Sequence, residues 1–177
     1  MEGYFISHSI FKSKENLMKT IIERPENIDK ILLDQLIDLI EQGGQVQRSY
    51  IEKGIENADL IALLVENNVI ISSATLKNPL KSYKERVFQQ AGVGKFNKEG
   101  LKELGYIVTN SKYEGQRLCQ KLLNEFLKKI HTNQIFATTR KESMIHILEK
   151  FEFKKMGQSY KVDLHLLSYN LGDIKQY

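Results

Sequence analysis

The stretch ELGYIVTNSKYEGQRLCQKLL, residues 103–123, decides the fold of this chain. The β-branched and aromatic residues of Leu101–Thr109 predict a strand, and Tyr113–Gly115 predicts a turn. Beyond the turn, apolar residues recur three or four positions apart, which predicts a helix ending near Ile130. Its apolar face consists of Cys119, Leu122, Leu123, Phe126 and Ile130. A further strand, Gln134–Thr138, completes a β-α-β unit.

The start of this helix is suited to binding an anion. Backbone N–H groups in the first helical turn have no intrahelical partner, and the helix dipole adds partial positive charge there. Gly115 lets the backbone approach a ligand closely, and Lys112 and Arg117 add charge. Phosphate is the anion most often bound in this way. A strand, a turn with one glycine and a helix are common, so this pattern alone leaves the ligand open.

The rest of the chain predicts a mixed sheet covered by helices. Pro25 and Asn27 open the first helix, Glu66-Asn67-Asn68 forms a hairpin turn, and Ser143 caps a late helix. The predicted elements are a strand at 16–23, helices at 28–43 and 45–55, strands at 60–65 and 69–76, short helices at 83–90 and 143–151, and strands at 153–158 and 162–168. Residues 1–14 fit either a strand or a packed arm. We expect one α/β (α+β) domain over 1–177, with its core at about 16–168.

Composition excludes several classes of protein. The chain has 177 residues, of which 41% are hydrophobic and 27% charged, as in an ordinary globular domain. Its single cysteine, Cys119, excludes an internal disulfide, and four scattered histidines give no zinc-ligand spacing. The longest apolar run, Leu60–Val65, is too short for a membrane span, and the N-terminus has no apolar signal segment. We therefore expect a cytoplasmic protein without a metal.

Charge is unevenly distributed along the chain. The net charge is +4, but residues 23–59 carry 9 acids and 4 bases, whereas residues 77–102 carry 7 bases and 2 acids. The basic segment also contains Tyr83, Phe88 and Phe96, a mixture found in nucleic-acid binders. A solvated face and a site for an anionic small molecule are the alternatives. We do not expect nucleic acid or a membrane as a partner, and a homodimer is compatible with the sequence.

Two motifs resemble the GNAT acyltransferase superfamily. Tyr113-Glu-Gly-Gln-Arg-Leu-Cys119 resembles its acetyl-CoA motif, Arg/Gln-x-x-Gly-x-Gly/Ala, commonly found within Tyr-Arg-Gly-x-Gly-x-Gly. Ile147–Phe153 is similar to the Leu-Tyr/Leu-Glu-Lys-x-Gly-Phe segment near the C-terminus of that family. The order of elements is also similar, over about residues 16–168. The resemblance implies a GNAT fold, with a mixed central sheet flanked by helices.

This sequence departs from the first motif at three positions. Glu114 stands where Arg or Gln is usual, Arg117 where the middle Gly is usual, and Cys119 where Gly or Ala is usual. In the second motif, Glu152 replaces Gly, and Leu148 stands where many members have Tyr. Cys119 is also interpreted as a small core residue of the helix.

The resemblance implies transfer of an acetyl group from acetyl-CoA to a primary amine by direct attack in a ternary complex. The pantetheine arm would lie between Leu104–Thr109 and Gln134–Thr138, and the pyrophosphate would bind backbone N–H groups of Glu114–Cys119. A backbone N–H of Ile107 or Val108 would polarise the thioester carbonyl. The implied acetyl-CoA residues are Ile107, Val108, Thr109, Glu114, Gly115, Gln116, Arg117, Leu118 and Cys119.

Glu103 is the candidate general base, because an amine with a pKa near 10.4 must lose a proton before it attacks. It lies 14 residues before Arg117, and the alternative is an exposed strand carboxylate paired with a lysine. Leu148 cannot donate a proton, so we place the general acid at Tyr160. Tyr106 and Tyr113 are the alternatives to Tyr160, and a thiolate with a pKa near 8.5 can also leave without an acid.

Arg140, just after a predicted strand, is the candidate for binding an acidic acceptor, or else a solvated arginine. The sequence thus predicts an N-acetyltransferase that acts on a small-molecule or protein amine. The alternative is a non-catalytic GNAT-like module that binds CoA as a sensor or serves as an interaction domain.

Overall fold

The computed structural model describes residues 18–132 and 134–169, which form one seven-stranded sheet with helices on both faces. The strands are β1 (Met18–Glu23), β2 (Ala58–Glu66), β3 (Val69–Lys77), β4 (Lys102–Thr109), β5 (Ile135–Thr139), β6 (Phe153–Tyr160) and β7 (Leu164–Tyr169). The helices are α1 (Lys30–Gln42), α2 (Arg48–Glu56), α3 (Lys81–Gln90), α4 (Leu118–Lys129) and α5 (Glu142–Lys150). The expectation for residues 1–14, and the first two residues of the predicted strand at 16–23, lie outside the described residues.

The sheet is mixed, as predicted. Its strand order is β1-β2-β3-β4-β5-β7-β6, and β4 and β5 run parallel while the other described neighbours are antiparallel. Asn67 and Asn68 connect β2 and β3 with φ angles of 51° and 62°. Two left-handed residues are the requirement of a type I′ hairpin turn, and asparagine tolerates them well. The predicted α/β fold class and the hairpin are therefore confirmed.

Two predicted helix starts were wrong. Pro25 and Asn27 belong to a separate 3-10 turn, and α1 is capped instead by Asp29, whose carboxylate accepts the Ile31 N–H at 2.7 Å. Ser143 is the second residue of α5 and does not cap it, because the helix begins one residue earlier, after Lys141. In both cases the prediction chose a residue close in sequence to the true N-cap, which is Asp29 for α1 and Lys141 for α5.

The two faces of the sheet bury different sets of side chains. Leu122, Phe126 and Ile145 from α4 and α5 pack on one face. The other face is divided, with α1 and α2 covering the β1–β3 side and α3 covering the β5–β7 side. Glu103 lies on this divided face, because its neighbour Leu104 belongs to the core under α4 and strand side chains alternate. Polar groups thus occupy the boundary between two apolar clusters.

Strands β4 and β5 separate soon after they begin. In the described part of the chain their pairing is limited to Lys102 opposite Ile135 and Glu103 opposite Phe136. On its other edge β4 carries a bulge, because three of its residues, Gly105–Ile107, occupy the space of two on β3, and Tyr106 takes a φ of 48°. A bulge bends a strand and increases its twist. The carboxyl-terminal halves of β4 and β5 are therefore left apart, with a gap between them.

No helix in the described ranges is long and apolar enough to cross a membrane.

Candidate active site

Glu103 is a buried carboxylate, at 4% exposure, at the point where β4 leaves β5. Its Oε2 atom lies 2.8 Å from Nζ of Lys77, the residue opposite it on β3. Its Oε1 atom accepts hydrogen bonds from the hydroxyl of Tyr83 at 3.0 Å and from that of Thr138 at 3.4 Å. Burying a carboxylate is costly unless it is paired and hydrogen-bonded, and here both oxygens have donors. Glu103 does pair with a lysine, as the alternative interpretation supposed, but it is not exposed.

Lys77 reaches Glu103 by crossing over Gly105. An ideal Cβ at Gly105 would lie 2.7 Å from Cε and 2.9 Å from Nζ of Lys77, so glycine provides the space for this crossing. The same Nζ lies 4.3 Å from the ring centroid of Tyr106, a distance typical of a cation–π contact. The Lys77 ammonium is therefore held between the carboxylate of Glu103 and the β4 bulge, with its side chain 17% exposed.

Three tyrosines near Glu103 are kept protonated by their surroundings. Burial, and next the charge of Glu103, raises the pKa of Tyr83 well above its usual range. The same two causes raise the pKa of Tyr106 to about 12. Burial and then Glu103 likewise raise the pKa of Tyr160 to about 12, while the charges of Arg86 and Arg140 act in the opposite direction. All three phenols remain hydrogen-bond donors at neutral pH.

The three tyrosines considered as general acid differ in their hydrogen bonds. Tyr106 donates to the backbone carbonyl of Tyr50 at 3.2 Å, and Tyr113 donates to Glu66 at 2.9 Å. The hydroxyl of Tyr160, at the end of β6, is buried without a hydrogen-bond partner among the described residues, and the side chain is 9% exposed. Of the three, Tyr160 thus has a proton not already committed to a neighbour.

Ile107, Val108 and Thr109 line β4 beside the gap and are half-buried. The N–H of Asn110 donates to the carbonyl of Ile71 on β3 at 2.9 Å. Backbone groups of successive strand residues alternate between the two edges, so those of Val108 face β3, whereas those of Ile107 and Thr109 face the gap. Of the two residues expected to present an N–H, Ile107 is the one whose backbone is directed toward the gap.

Helix α4 begins beside the carboxyl end of β4. Arg117, its N-cap, has a φ of 59°, and Gly115 has a φ of 78°. Arg117 thus adopts the left-handed conformation that glycine favours, at the position where the resembled motif has its middle glycine. No side chain in the described residues caps this helix, and the segment 114–117 is exposed. The first N–H groups of α4 are open to an anion.

Cys119 packs against the core under α4, which agrees with its interpretation as a small core residue. Burial raises the pKa of its thiol to about 11. Leu118 also packs on this core, so of the expected cofactor residues these two contribute backbone rather than exposed side chains. Arg140 is exposed directly after β5, near enough to Tyr160 to affect its pKa.

Much of the basic segment at 77–102 is used inside the protein. Lys77 pairs with Glu103, and buried Lys84 donates to the carbonyl of Lys98 at 2.7 Å. Lys102 pairs with Asp59 at 2.6 Å and also donates to Asn78. These three lysines therefore pair with Glu103, Asp59 and a backbone carbonyl, whereas Lys81, Arg86, Lys95 and Lys98 are exposed.

Sequence reasoning missed three residues around Glu103: Lys77, Tyr83 and Thr138. Lys77 and Tyr83 lie in the basic segment that we noted for its charge and aromatic content, and Thr138 lies on the strand predicted to diverge from β4. The register that places them around Glu103 was not readable from the sequence. No metal-binding group of His, Cys, Asp or Glu is present among the described residues.

No family model matches the sequence, and no curated protein matches it. Solved structures do resemble it. An acyl-CoA N-acyltransferase from Pseudomonas aeruginosa has 13% identity and a TM-score of 0.64, covering 85% of this chain and 98% of that one. The AHL synthase LasI has 15% identity and a TM-score of 0.67, covering 89% and 91%. A GNAT-family acetyltransferase from Streptococcus agalactiae has 16% identity and a TM-score of 0.59, covering 85% and 94%. At sequence identities this low, the structural likeness shows a shared fold.

Proposed function

We propose that this chain, which has the fold of the GNAT acyltransferases, is a CoA-dependent N-acetyltransferase. It would move an acetyl group from acetyl-CoA to a primary amine of a small molecule or protein, by direct attack in a ternary complex. The observation that carries the proposal is the gap between β4 and β5, which begins at buried Glu103 and opens toward the start of α4. The acyltransferases among the similar structures support this reaction class.

The gap suits the donor acetyl-CoA. Ile107 and Thr109 direct backbone groups into it, so an extended amide-containing arm adds to β4 as a further strand would. The open N–H groups at the start of α4 suit the pyrophosphate, because ligands of α/β sheets bind at the carboxyl ends of strands. Gly115 and Arg117 shape this turn through their left-handed backbones, and Arg117 adds positive charge.

The acceptor amine would be activated at Glu103. An amine with a pKa near 10.4 is an ammonium at neutral pH, and a carboxylate directly or through one water takes its proton. The N–H of Ile107 would stabilise the negative charge that develops on the thioester oxygen. Tyr160 would return a proton to the leaving thiolate, a role supported by its buried hydroxyl, which has no hydrogen-bond partner among the described residues. Arg140 would bind an acidic group of the acceptor.

The alternative is a non-catalytic CoA-binding module with the same fold. One observation favours it, namely that Glu103 already has Lys77, Tyr83 and Thr138 as donors. A base in this state must exchange a partner before it takes a proton from a substrate. The two functions differ in turnover, not in binding.

Calorimetric titration with acetyl-CoA is the first test. We expect binding in the micromolar to millimolar range, and weaker binding after Gly115→Asp, which adds negative charge at the start of α4. A matched control is Gly92→Asp, at another left-handed glycine with open space around it. Absence of binding at millimolar acetyl-CoA would reject both the enzyme and the sensor.

Release of free CoA thiol across a panel of amines is the second test. Glu103→Gln should lower kcat/KM by about 10²–10⁴-fold, the usual contribution of a general base. Asp59→Asn, which breaks the neighbouring ion pair with Lys102, is the control and should leave turnover within about threefold. Binding without turnover on every amine supports the sensor, and full turnover by the Glu103 variant removes Glu103 as the base.

A further inference from the structure

One amine of the protein already occupies the place of an acceptor. Nζ of Lys77 lies 2.8 Å from Oε2 of Glu103, the candidate base. It also lies beside Gly105 and over the ring of Tyr106, at the bulge where β4 turns away from β5. Glu103 thus binds a primary ammonium in the geometry that a substrate amine requires, in which the proton to be removed points at the carboxylate.

Comparison with the neighbouring Lys102 shows that an ion-paired lysine of this sheet need not lie against Glu103. Lys102 also pairs with a carboxylate, Asp59, at 2.6 Å, and its side chain is 27% exposed against 17% for Lys77. The Lys102 side chain has Asp59 and Asn78 as its partners, and the alternation of strand side chains directs it to the face opposite that of Glu103. Two half-buried, ion-paired lysines of one sheet therefore differ in whether they face the candidate base.

We propose that Lys77 is a site of self-acylation, and that its ε-amine accepts an acyl group from acyl-CoA bound in the gap. This inference rests on the proposed function, because it needs the donor to bind between β4 and β5. The Lys77 side chain is 17% exposed, and its Nζ crosses over Gly105 on β4, the strand that borders the gap.

The step balances with acyl-CoA as the co-reactant. The ammonium of Lys77 gives one proton to Glu103, and the freed nitrogen lone pair forms a C–N bond to the thioester carbon. The C–S bond breaks, and the thiolate takes the second nitrogen proton to become CoA thiol. Glu103 then releases its proton to solvent. The products are an amide on Lys77 and free CoA thiol, with no change of oxidation state.

Acylation would change Glu103 as well as Lys77. An amide carries no charge, so the ion pair at 2.8 Å is lost and Glu103 keeps Tyr83 and Thr138 as its donors. The carboxylate then has one oxygen available for an incoming acceptor ammonium. Self-acylation would therefore convert the closed arrangement around Glu103 into one that receives a substrate.

The test is to incubate the full chain with acetyl-CoA and no added amine. Peptide mass spectrometry, after digestion with a protease that cleaves beside acidic residues, then measures acetyl occupancy at Lys77 and at Lys102 in the same sample. We expect occupancy at Lys77 to rise at least on the order of tenfold faster than at Lys102. A urea-unfolded sample at the same pH measures the uncatalysed reaction of each lysine.

Two variants connect the reaction to its geometry. Glu103→Gln should slow acetylation at Lys77 by on the order of 10²-fold, because the amine loses its base. Asp59→Asn should leave that rate within about threefold. Circular dichroism establishes that each variant is folded. Tyr83→Phe removes one hydrogen-bond donor to Glu103 but keeps the carboxylate, so it is a second variant at the same site.

The outcomes separate this inference from the proposed function. Equal acetylation of Lys77 and Lys102, in a chain that binds acetyl-CoA and acetylates added amines, overturns self-acylation and leaves the enzyme. Equal rates at Lys77 in the folded and unfolded chain also overturn it. Failure to bind acetyl-CoA overturns both proposals together.

Discussion

The carboxylate of Glu103 shows how much of this site depends on single side chains. It is buried, and its donors come from three different elements, β3, α3 and β5. Removing one member of a buried ion pair leaves an uncompensated charge, so Lys77 and Glu103 depend on each other. Tyr160 belongs to the apolar cluster under α3, yet its hydroxyl has no hydrogen-bond partner within the described residues. The Tyr160 hydroxyl is thus expected to lower the stability of the fold, because it is buried without a partner, while the proposed reaction needs it as a proton donor.

Tyr160→Phe should separate these two effects. We expect the free energy of unfolding to rise by about 1 kcal/mol, because a buried hydroxyl without a partner is removed. We expect kcat for acetyl transfer to fall by about tenfold, because the leaving thiolate loses its proton donor. Urea unfolding and thiol release measure the two effects.

Tyr50→Phe is the control, because the side chain of Tyr50 is exposed and only its backbone carbonyl takes part in the site. It should change neither quantity. Loss of stability in Tyr160→Phe would mean that the Tyr160 hydroxyl has a partner after all, and unchanged kcat would remove it as the general acid.

Alkylation of Cys119 should reveal its burial. Burial raises the pKa of the thiol from 9.0 to about 11, and the thiolate is the reactive form. At about pH 8 the folded protein should therefore react with iodoacetamide roughly 100-fold more slowly than the urea-unfolded chain. The rate in the folded state should rise about tenfold per pH unit up to about pH 11. Equal rates in the two states would contradict this environment for Cys119.

At the scale of elements, the site depends on how α3, α4 and β4 join the sheet. The bulge of β4 and its early separation from β5 create the gap, and the left-handed N-cap of α4 turns the helix start toward the carboxyl end of β4. α3 is fixed to β6 by a close backbone approach, in which the N–H of Gln158 donates to the carbonyl of Ala91 at 3.0 Å. This contact holds Tyr83 and Tyr160 on facing elements around Glu103.

Gly157→Ala should break the junction of α3 with β6. An ideal Cβ at Gly157 would lie 1.9 Å from the carbonyl oxygen of Ala91, and the φ of 62° adds strain. We expect a loss on the order of 3 kcal/mol in the free energy of unfolding. Gly92→Ala is the matched control, because Gly92 has a φ of 74° but nothing within 4 Å, and it should cost only about 1 kcal/mol. Equal losses of unfolding free energy in Gly157→Ala and Gly92→Ala, measured by urea unfolding, would argue against the close contact between Gly157 and Ala91.

Arg117→Gly should stabilise the start of α4. Glycine adopts a φ of 59° without the steric cost that arginine has, so the free energy of unfolding should rise by up to about 1 kcal/mol. Arg117→Ala removes the same charge but keeps a Cβ, and it should show no such gain. Calorimetry on both variants then gives the contribution of the Arg117 charge to acetyl-CoA binding. A less stable glycine variant would contradict the left-handed cap.

The whole molecule combines a polar boundary with an apolar core on each face of the sheet. Three lysines of the basic segment are used within the fold, since they bind buried Glu103, half-buried Asp59 and a backbone carbonyl. The net charge of +4 therefore says little about the surface available to an anion. We expect binding to duplex or single-stranded oligonucleotides to be absent at low salt, where such binding is strongest.

Stability of the whole fold should fall in alkali. Burial raises the pKa values of Cys119 to about 11 and of Tyr106 and Tyr160 to about 12, so the folded state keeps protons that the unfolded chain releases above about pH 9. Their stabilising effect is complete below the unfolded pKa values and is lost as pH rises through the folded ones. We expect a decrease on the order of 3–5 kcal/mol between about pH 8 and pH 11 after solvent screening of these partly buried groups.

Urea midpoints over this pH range measure the decrease. The slope against pH should be shallower in Tyr160→Phe, which lacks one of the shifted groups. Constant or rising stability between pH 8 and pH 11 would contradict the burial of these groups.

Local patterns in the sequence were sufficient for the elements and their approximate bounds. Apolar residues spaced three or four apart placed α1 and α4, and apolar runs around Asn67-Asn68 placed the β2–β3 hairpin. These signals lie within one element, because periodicity reflects which side of a helix or strand faces the core. The strand pattern also placed Glu103 on β4 and Gly115 in the turn before α4, whereas Arg117 was predicted inside the helix and is its N-cap.

Only the tertiary structure decided what surrounds Glu103. Lys77 precedes it by 26 positions in the chain and Thr138 follows it by 35, and strand register brings all three side chains to one point. Register depends on the bulge of β4 and on the packing of both faces, which are properties of the assembled sheet. The sequence by itself therefore determined the elements, the fold class and the position of a carboxylate. The ion pair, the gap and the buried hydroxyl of Tyr160 exist because distant segments share one core.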